Sequence, residues 1–109
     1  LFGSGKPLRQ FMYVDDLAKV IVMLIEKNIF SNFNVATDEV CSIKQIAEIG
    51  LNACDKRHLT ISFDKSKPDG QYRKDIDSSK LLDCLSDFKF TKLYEGINKV
   101  YDSFSRRYN

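Results

Sequence analysis

Apolar positions along this chain follow two periods, one helical and one extended. Leu17, Val20, Ile21, Leu24 and Ile25 stand at i, i+3, i+4, i+7 and i+8, which is one helix face. The spacing predicts a helix that opens at Asp15 or Asp16 and ends near Asn28. A carboxylate at that opening accepts from the free first-turn N–H groups and is favoured by the helix dipole. Ser42-Ile43-Lys44-Gln45 has the form of a capping box, with Ser42 as N-cap and Gln45 reaching back. The helix it opens carries Ile43, Ile46, Ala47, Gly50 and Cys54 on one stripe and stops near Asp55. Asp77 is expected to cap a brief helix through Leu85. Thr91 is expected to cap a last one with Leu93, Ile97, Val100, Tyr101 and Phe104 on its apolar face.

Between these helices the pattern is extended. Phe11–Val14, Phe33–Ala36 and Leu59–Phe63 are short runs of aromatic and β-branched type and read as strands. Gln71–Ile76 reads as a further extended stretch, and Asp87–Phe90 as a connector with two apolar aromatics. Gly3–Pro7 is a loop, and Lys67-Pro68-Asp69-Gly70 is a turn. Alternating strands and helices imply an α/β fold with some parallel pairing and about four helices. Three short strands offer too little surface to cover all these helix faces. Exposed apolar patches and weak stability in isolation are therefore expected.

Composition narrows the class. The chain has 109 residues, 43% hydrophobic and 29% charged, with a net charge of +2, as expected of one soluble domain or part of one. Its basic residues are dispersed, which argues against a nucleic-acid partner. The longest apolar run, Val20–Ile25, is far short of the ~20 residues of a membrane span, so no membrane partner is expected. Cys41, Cys54 and Cys84, with the single His58, have neither zinc-site nor disulfide spacing. They read as reduced thiols of a cytoplasmic protein. Gly3-Ser4-Gly5-Lys6 is followed by Pro7, so it is not the phosphate loop G-x-x-x-x-G-K-[ST].

The stretch Gly3-x-Gly5-x-x-x-Arg9-x-Phe11-x-Tyr13-Val14-Asp15-Asp16-Leu17-Ala18 resembles the second half of the extended short-chain dehydrogenase/reductase family that acts on nucleotide sugars. Phe33-Asn34-Val35, Ser42-Ile43-Lys44, Phe63-Asp64 and Lys67-Pro68-Asp69-Gly70-Gln71 with Arg73-Lys74 are similar to its GDP-L-fucose synthase branch. The resemblance spans nearly the whole chain. It implies an NADPH-dependent epimerisation and reduction of GDP-4-keto-6-deoxy-D-mannose by the full-length enzyme, a homodimer. Residues 1–109 would be its C-terminal, GDP-sugar-binding domain. The NADP-binding Rossmann domain would lie outside this chain, and the chain alone would be inactive. The alternatives are another nucleotide-sugar epimerase or dehydratase of the extended family, or an inactive truncated binding module.

On this resemblance the substrate-binding positions are Phe2, where the family often has Trp, with Arg9, Asp69 and Lys74. Each suits the task. An aromatic face stacks on a base or ribose. A guanidinium forks onto a diphosphate, while a lysine, here Lys74 or its neighbour Arg73 in competition, sets a charge nearby. A turn aspartate accepts hydroxyl or amide hydrogens. No catalytic residue is expected. Tyr13, Tyr72, Tyr94 and Tyr101 all lack the Lys at i+4 of the family's Tyr-x-x-x-Lys, and Tyr108 has no residue there. Asp15 and Asp16 read as caps rather than an acid–base pair, and His58 as a surface residue.

Overall fold

A computed structural model describes residues 1–108. In chain order they form β1 (Leu8–Arg9), α1 (Val14–Glu26), β2 (Cys41–Ser42), α2 (Ile43–Ala53), α3 (Ser79–Cys84) and α4 (Leu93–Tyr108). The four helices fall where the apolar periods put them. The capping box at Ser42 is complete: Gln45 N–H donates to Ser42 Oγ at 3.1 Å, and Ser42 N–H to Gln45 Oε1 at 2.8 Å. The ends of α1 and α2 are each followed by a left-handed residue, Asn28 (φ 55°) after α1 and Asp55 (φ 53°) after α2, a conformation in which short polar side chains are tolerated. Asp77 Oδ1 accepts from Ser79 N–H at 2.9 Å at the opening of α3.

The strands differ from expectation. Phe11–Tyr13, Phe33–Ala36 and Leu59–Phe63 belong to no ladder, and Val14 is already helical. A strand exists only where a neighbour supplies its hydrogen bonds, and among the described residues the pairing of these runs is too sparse for a ladder: of Leu59–Phe63 only the end is met, where the Leu1 amino group donates to Ser62 O at 2.7 Å. The ladder that forms is antiparallel, Leu8 opposite Ser42 and Arg9 opposite Cys41. The parallel pairing is reduced to single bridges, Phe2 with Asp64 and Leu8 with Arg73. The Phe33–Ala36 segment is held by side chains instead. Ala36 N–H donates to Ser78 Oγ at 2.7 Å, which in turn donates to Ala36 O at 2.9 Å.

The caps at Asp15 and Asp16 are also corrected. The N-cap of α1 is Tyr13, which makes no side-chain cap bond. Both carboxylates lie in that turn, where the dipole favours them. Asp16 is nevertheless turned away and buried at 1% exposure. Its Oδ2 accepts from Thr91 N–H at 2.7 Å and its Oδ1 from Thr91 Oγ at 2.8 Å. Thr91 therefore spends its hydroxyl proton on α1, and Glu39 Oε2 accepts from Leu93 N–H at 2.8 Å at the start of α4. Two carboxylates remote in sequence thus fasten the opening of α4.

Val20, Leu81 and Leu85 make the core between α1 and α3, with Met23, Leu24, Phe33, Val35, Phe88 and Phe90 packed around it. Phe88 and Phe90 meet edge to face, centroids 5.0 Å apart. On the other side α4 packs on α2, and Gly96 lets Tyr13 approach α4 closely. The core is thin: the radius of gyration is 16.5 Å, against about 13 Å for a compact chain of this length. Val14, Leu17, Ile21, Val22 and Ile25 of α1 are exposed, as are Val100, Phe104 and Tyr108 of α4. The expected surplus of helix face over covering surface is present. No described helix is long and apolar enough to cross a membrane.

Candidate functional site

The Gly3–Gly5 loop is clamped from three directions, and this clamp positions the residues on either side of it. Gly3 N–H donates to Asp64 O at 2.9 Å, and Asp64 N–H to Leu1 O at 2.7 Å. Leu8 N–H donates to Tyr72 O at 2.8 Å, tying β1 to the segment after the Pro-Asp-Gly turn. Ile43 and Lys44 N–H donate to Pro7 O and Gly5 O at 3.0 and 2.9 Å, so the loop's own carbonyls satisfy the free first turn of α2. Gly3 and Gly5 both have positive φ, and a Cβ on either would collide, with Asp69 and Phe63 respectively.

Asp69 is the latch of this loop. Its Oδ1 accepts from Ser4 N–H and its Oδ2 from Ser4 Oγ at 2.7 Å. The backbone bond from Ser4, then its hydroxyl, hold the Asp69 carboxyl below the usual carboxylate range. The turn position is thus explained by the loop it secures. Phe2 bridges Asp64 in parallel register and is 74% exposed, its ring facing Lys67 Nζ at 5.9 Å from the centroid. Arg9 is half-buried on β1 opposite Cys41. Its Nη1 donates to Leu8 O at 2.7 Å, and it makes no ion pair among the described residues. Arg73 is bound to Asp75 at 2.5 Å, which leaves its exposed neighbour Lys74 as the free charge of that pair. The segments carrying Phe2, Arg9, Asp69 and Lys74 therefore meet around one loop and its strand.

Gln10 carries a structural role that its sequence position gives no sign of. Its Nε2 donates to Thr37 O at 2.7 Å and its Oε1 accepts from Ile76 N–H at 2.8 Å. It bridges two segments remote from it in sequence, a role visible only once they are adjacent. His58 is exposed, as expected, and Cys41 is buried; burial, then the nearby Glu39 carboxylate, push the Cys41 thiol up. That is the opposite of what a reactive thiolate needs.

Residue types of this kind, an exposed aromatic face, a guanidinium without an ion pair among the described residues and a lysine, carried on segments that meet at one bonded loop, suit a planar group joined to phosphates. Residues 1–36 match the NAD dependent epimerase/dehydratase family. Across nearly its whole length the chain is a homologue of GDP-L-fucose synthases. It is 34% identical to GDP-L-fucose synthase of Dictyostelium discoideum over 99% of this chain and 34% of that protein. It is 33% identical to GDP-L-fucose synthase 1 of Arabidopsis thaliana over 94% of this chain and 31% of that protein. A crystal structure of a GDP-L-fucose synthetase from Naegleria fowleri superposes with a TM-score of 0.86 at 32% identity, covering 99% of this chain and 33% of that one. Another of that enzyme is bound to NADP (TM-score 0.84, 31% identity, 99% and 34% coverage). The chain thus spans about a third of the length of the relatives it matches. Its fold is the corresponding part of the extended short-chain dehydrogenase/reductase fold.

Proposed function

We propose that residues 1–109 are the C-terminal, GDP-sugar-binding domain of a GDP-L-fucose synthase. The whole enzyme epimerises GDP-4-keto-6-deoxy-D-mannose and reduces it with NADPH to GDP-L-fucose. In this reading the enzyme is a cytoplasmic homodimer. NADP is held by a Rossmann domain outside this chain. The residues present here do not fit that cofactor: the amides of Gly3 and Ser4 and the carbonyl of Gly5 are bonded to Asp64, Asp69 and Lys44, and Gly5 backs onto Phe63. No cradle for a pyrophosphate remains in that loop.

The observation that carries the reading is Arg9, half-buried and without a carboxylate partner among the described residues, on a strand whose preceding loop is latched by Asp69. In this role Arg9 forks onto the diphosphate, Phe2 covers the guanosine end and Lys74 adds charge. Asp69 keeps the loop that carries Phe2 in place and has lone pairs left to accept from the substrate. The chain contributes orientation, which can supply several kcal/mol of a barrier by fixing the sugar against the reductant.

The test is binding of GDP and UDP to the 109-residue chain by calorimetry. GDP is expected to bind more tightly than UDP. Arg9→Ala should weaken GDP about tenfold or more, the worth of one or two charge-assisted bonds. Equal affinity for UDP would transfer the chain to another nucleotide-sugar enzyme. An unaltered affinity in Arg9→Ala would remove Arg9 from the site.

A further inference from the structure

Beyond the Arg9 site, two adjoining hollows lie along α2 and are assigned to nothing above. One, of about 410 Å³, is lined by Lys44, Leu51, Arg57, Leu59, Ile61 and Phe63. The other, of about 680 Å³, shares the Ser4–Gly5 edge of the latched loop with the site above and is otherwise lined by Lys6, Ser42, Lys44, Phe63, Lys65 and Tyr72. Lys44 and Phe63 border both, so the two hollows are neighbours and together make up the groove considered for a ligand. Its dimensions are those of a small-molecule site. Four cations face it and one carboxylate, Glu48, which lies 3.7 Å from Lys44. The whole chain carries only +2, so positive charge is focused here. The first-turn N–H groups of α2 are already bonded to Gly5, Pro7 and Ser42, which leaves anion recognition to the lysines.

The groove is not the Arg9 surface seen from another angle. In the β1–β2 ladder Leu8 pairs with Ser42 and Arg9 with Cys41. Side chains alternate across a pleat, so Arg9 and the groove-lining Ser42 are carried on opposite faces.

We propose that this groove binds a nucleoside polyphosphate. Its phosphates lie among Lys6, Lys44 and Lys65, and its base lies on the floor made by Leu59, Ile61 and Phe63. The phosphates explain the clustered lysines, and the base explains the apolar, aromatic strip beside them. Point-charge lysines on flexible stems suit phosphate without demanding one fixed geometry.

The test titrates ATP, and separately inorganic triphosphate, into the ¹⁵N-labelled 109-residue chain. ATP should bind saturably and shift the amides of Lys44, Ile61 and Phe63. Triphosphate should bind about tenfold more weakly, because it lacks the base. The pair Lys44→Glu and Lys65→Glu should weaken ATP about tenfold or more, and Arg9→Ala should leave it unchanged. Lys6→Ala alters an exposed loop side chain and serves if the double variant fails to fold; a loss of about threefold or more is expected. The proposal is overturned by absent saturation, by equal binding of triphosphate, by an unaltered affinity in both lysine variants, or by loss of ATP in Arg9→Ala. The last result would place ATP on the Arg9 face and leave the GDP reading standing.

Discussion

Replacing Asp16 should unfasten α4. The Asp16 carboxylate is buried and takes both the N–H and the hydroxyl of Thr91, at 2.7 and 2.8 Å. Hydrogen bonds to a charged acceptor contribute about 1.5–3 kcal/mol each, and a donor stranded without a partner adds its own cost. Thr91 is only part-buried, so water can recover some of this. Asp16→Ala should then lose about 2–4 kcal/mol. At about 4–8 °C per kcal/mol for a domain near this size, the melting point should fall by roughly 10–30 °C. Thr91→Val removes the hydroxyl bond and keeps the backbone one, so it should lose about 1 kcal/mol. The two changes share one interaction and should not add: the double variant should be no less stable than Asp16→Ala alone. The assay is urea unfolding followed by circular dichroism at low protein concentration, chosen because of the exposed α1 face. A loss under about 0.5 kcal/mol for Asp16→Ala, or full additivity, would refute the view that this carboxylate holds α4 to α1.

Gly3→Ala should lose about 1–3 kcal/mol, since the residue sits at φ 75° and its Cβ would overlap Asp69 Oδ1; native stability in the same unfolding assay decides it. Acidification should open the loop. Asp69 and Asp64 are both held below their ordinary values by bonds from Ser4 and Ser66. Their contribution is complete above the unfolded carboxylate value of about 4 and is lost as pH falls through the lower folded values. Exchange protection of the Gly3 and Ser4 amides should drop below about pH 4, and in Asp69→Asn the Ser4 amide should already be less protected at neutral pH. Protection that stays level through that range would show that the Asp69 carboxylate does not latch the loop and that the Ser66 bonds of Asp64 do not steady the backbone Gly3 is tied to.

Local signals in the chain carried far, because helices are made of local interactions. The apolar period of α1 and the Ser42–Gln45 box each involve residues within a few positions, and both appear where expected; the N-cap of α3 is Ser78 rather than Asp77, whose carboxylate still takes the Ser79 amide. The glycines and proline of the first loop, and the Lys67–Gly70 turn, are likewise short-range chemistry. The candidate positions Phe2, Arg9, Asp69 and Lys74 come from the motif they resemble, not from any local period. Strands need distant partners, and that is where local reading fails. Phe33–Ala36 and Leu59–Phe63 have the composition of strands, yet neither is part of a ladder among the described residues; Leu59–Phe63 is met only at its end, by Leu1 at Ser62. Only the tertiary structure decided that Asp16 would reach across 75 positions to Thr91, that Asp69 would latch Ser4, and that Arg9 would be left without a carboxylate. Each depends on which segments are brought side by side, a matter of packing and chain closure that no local pattern encodes.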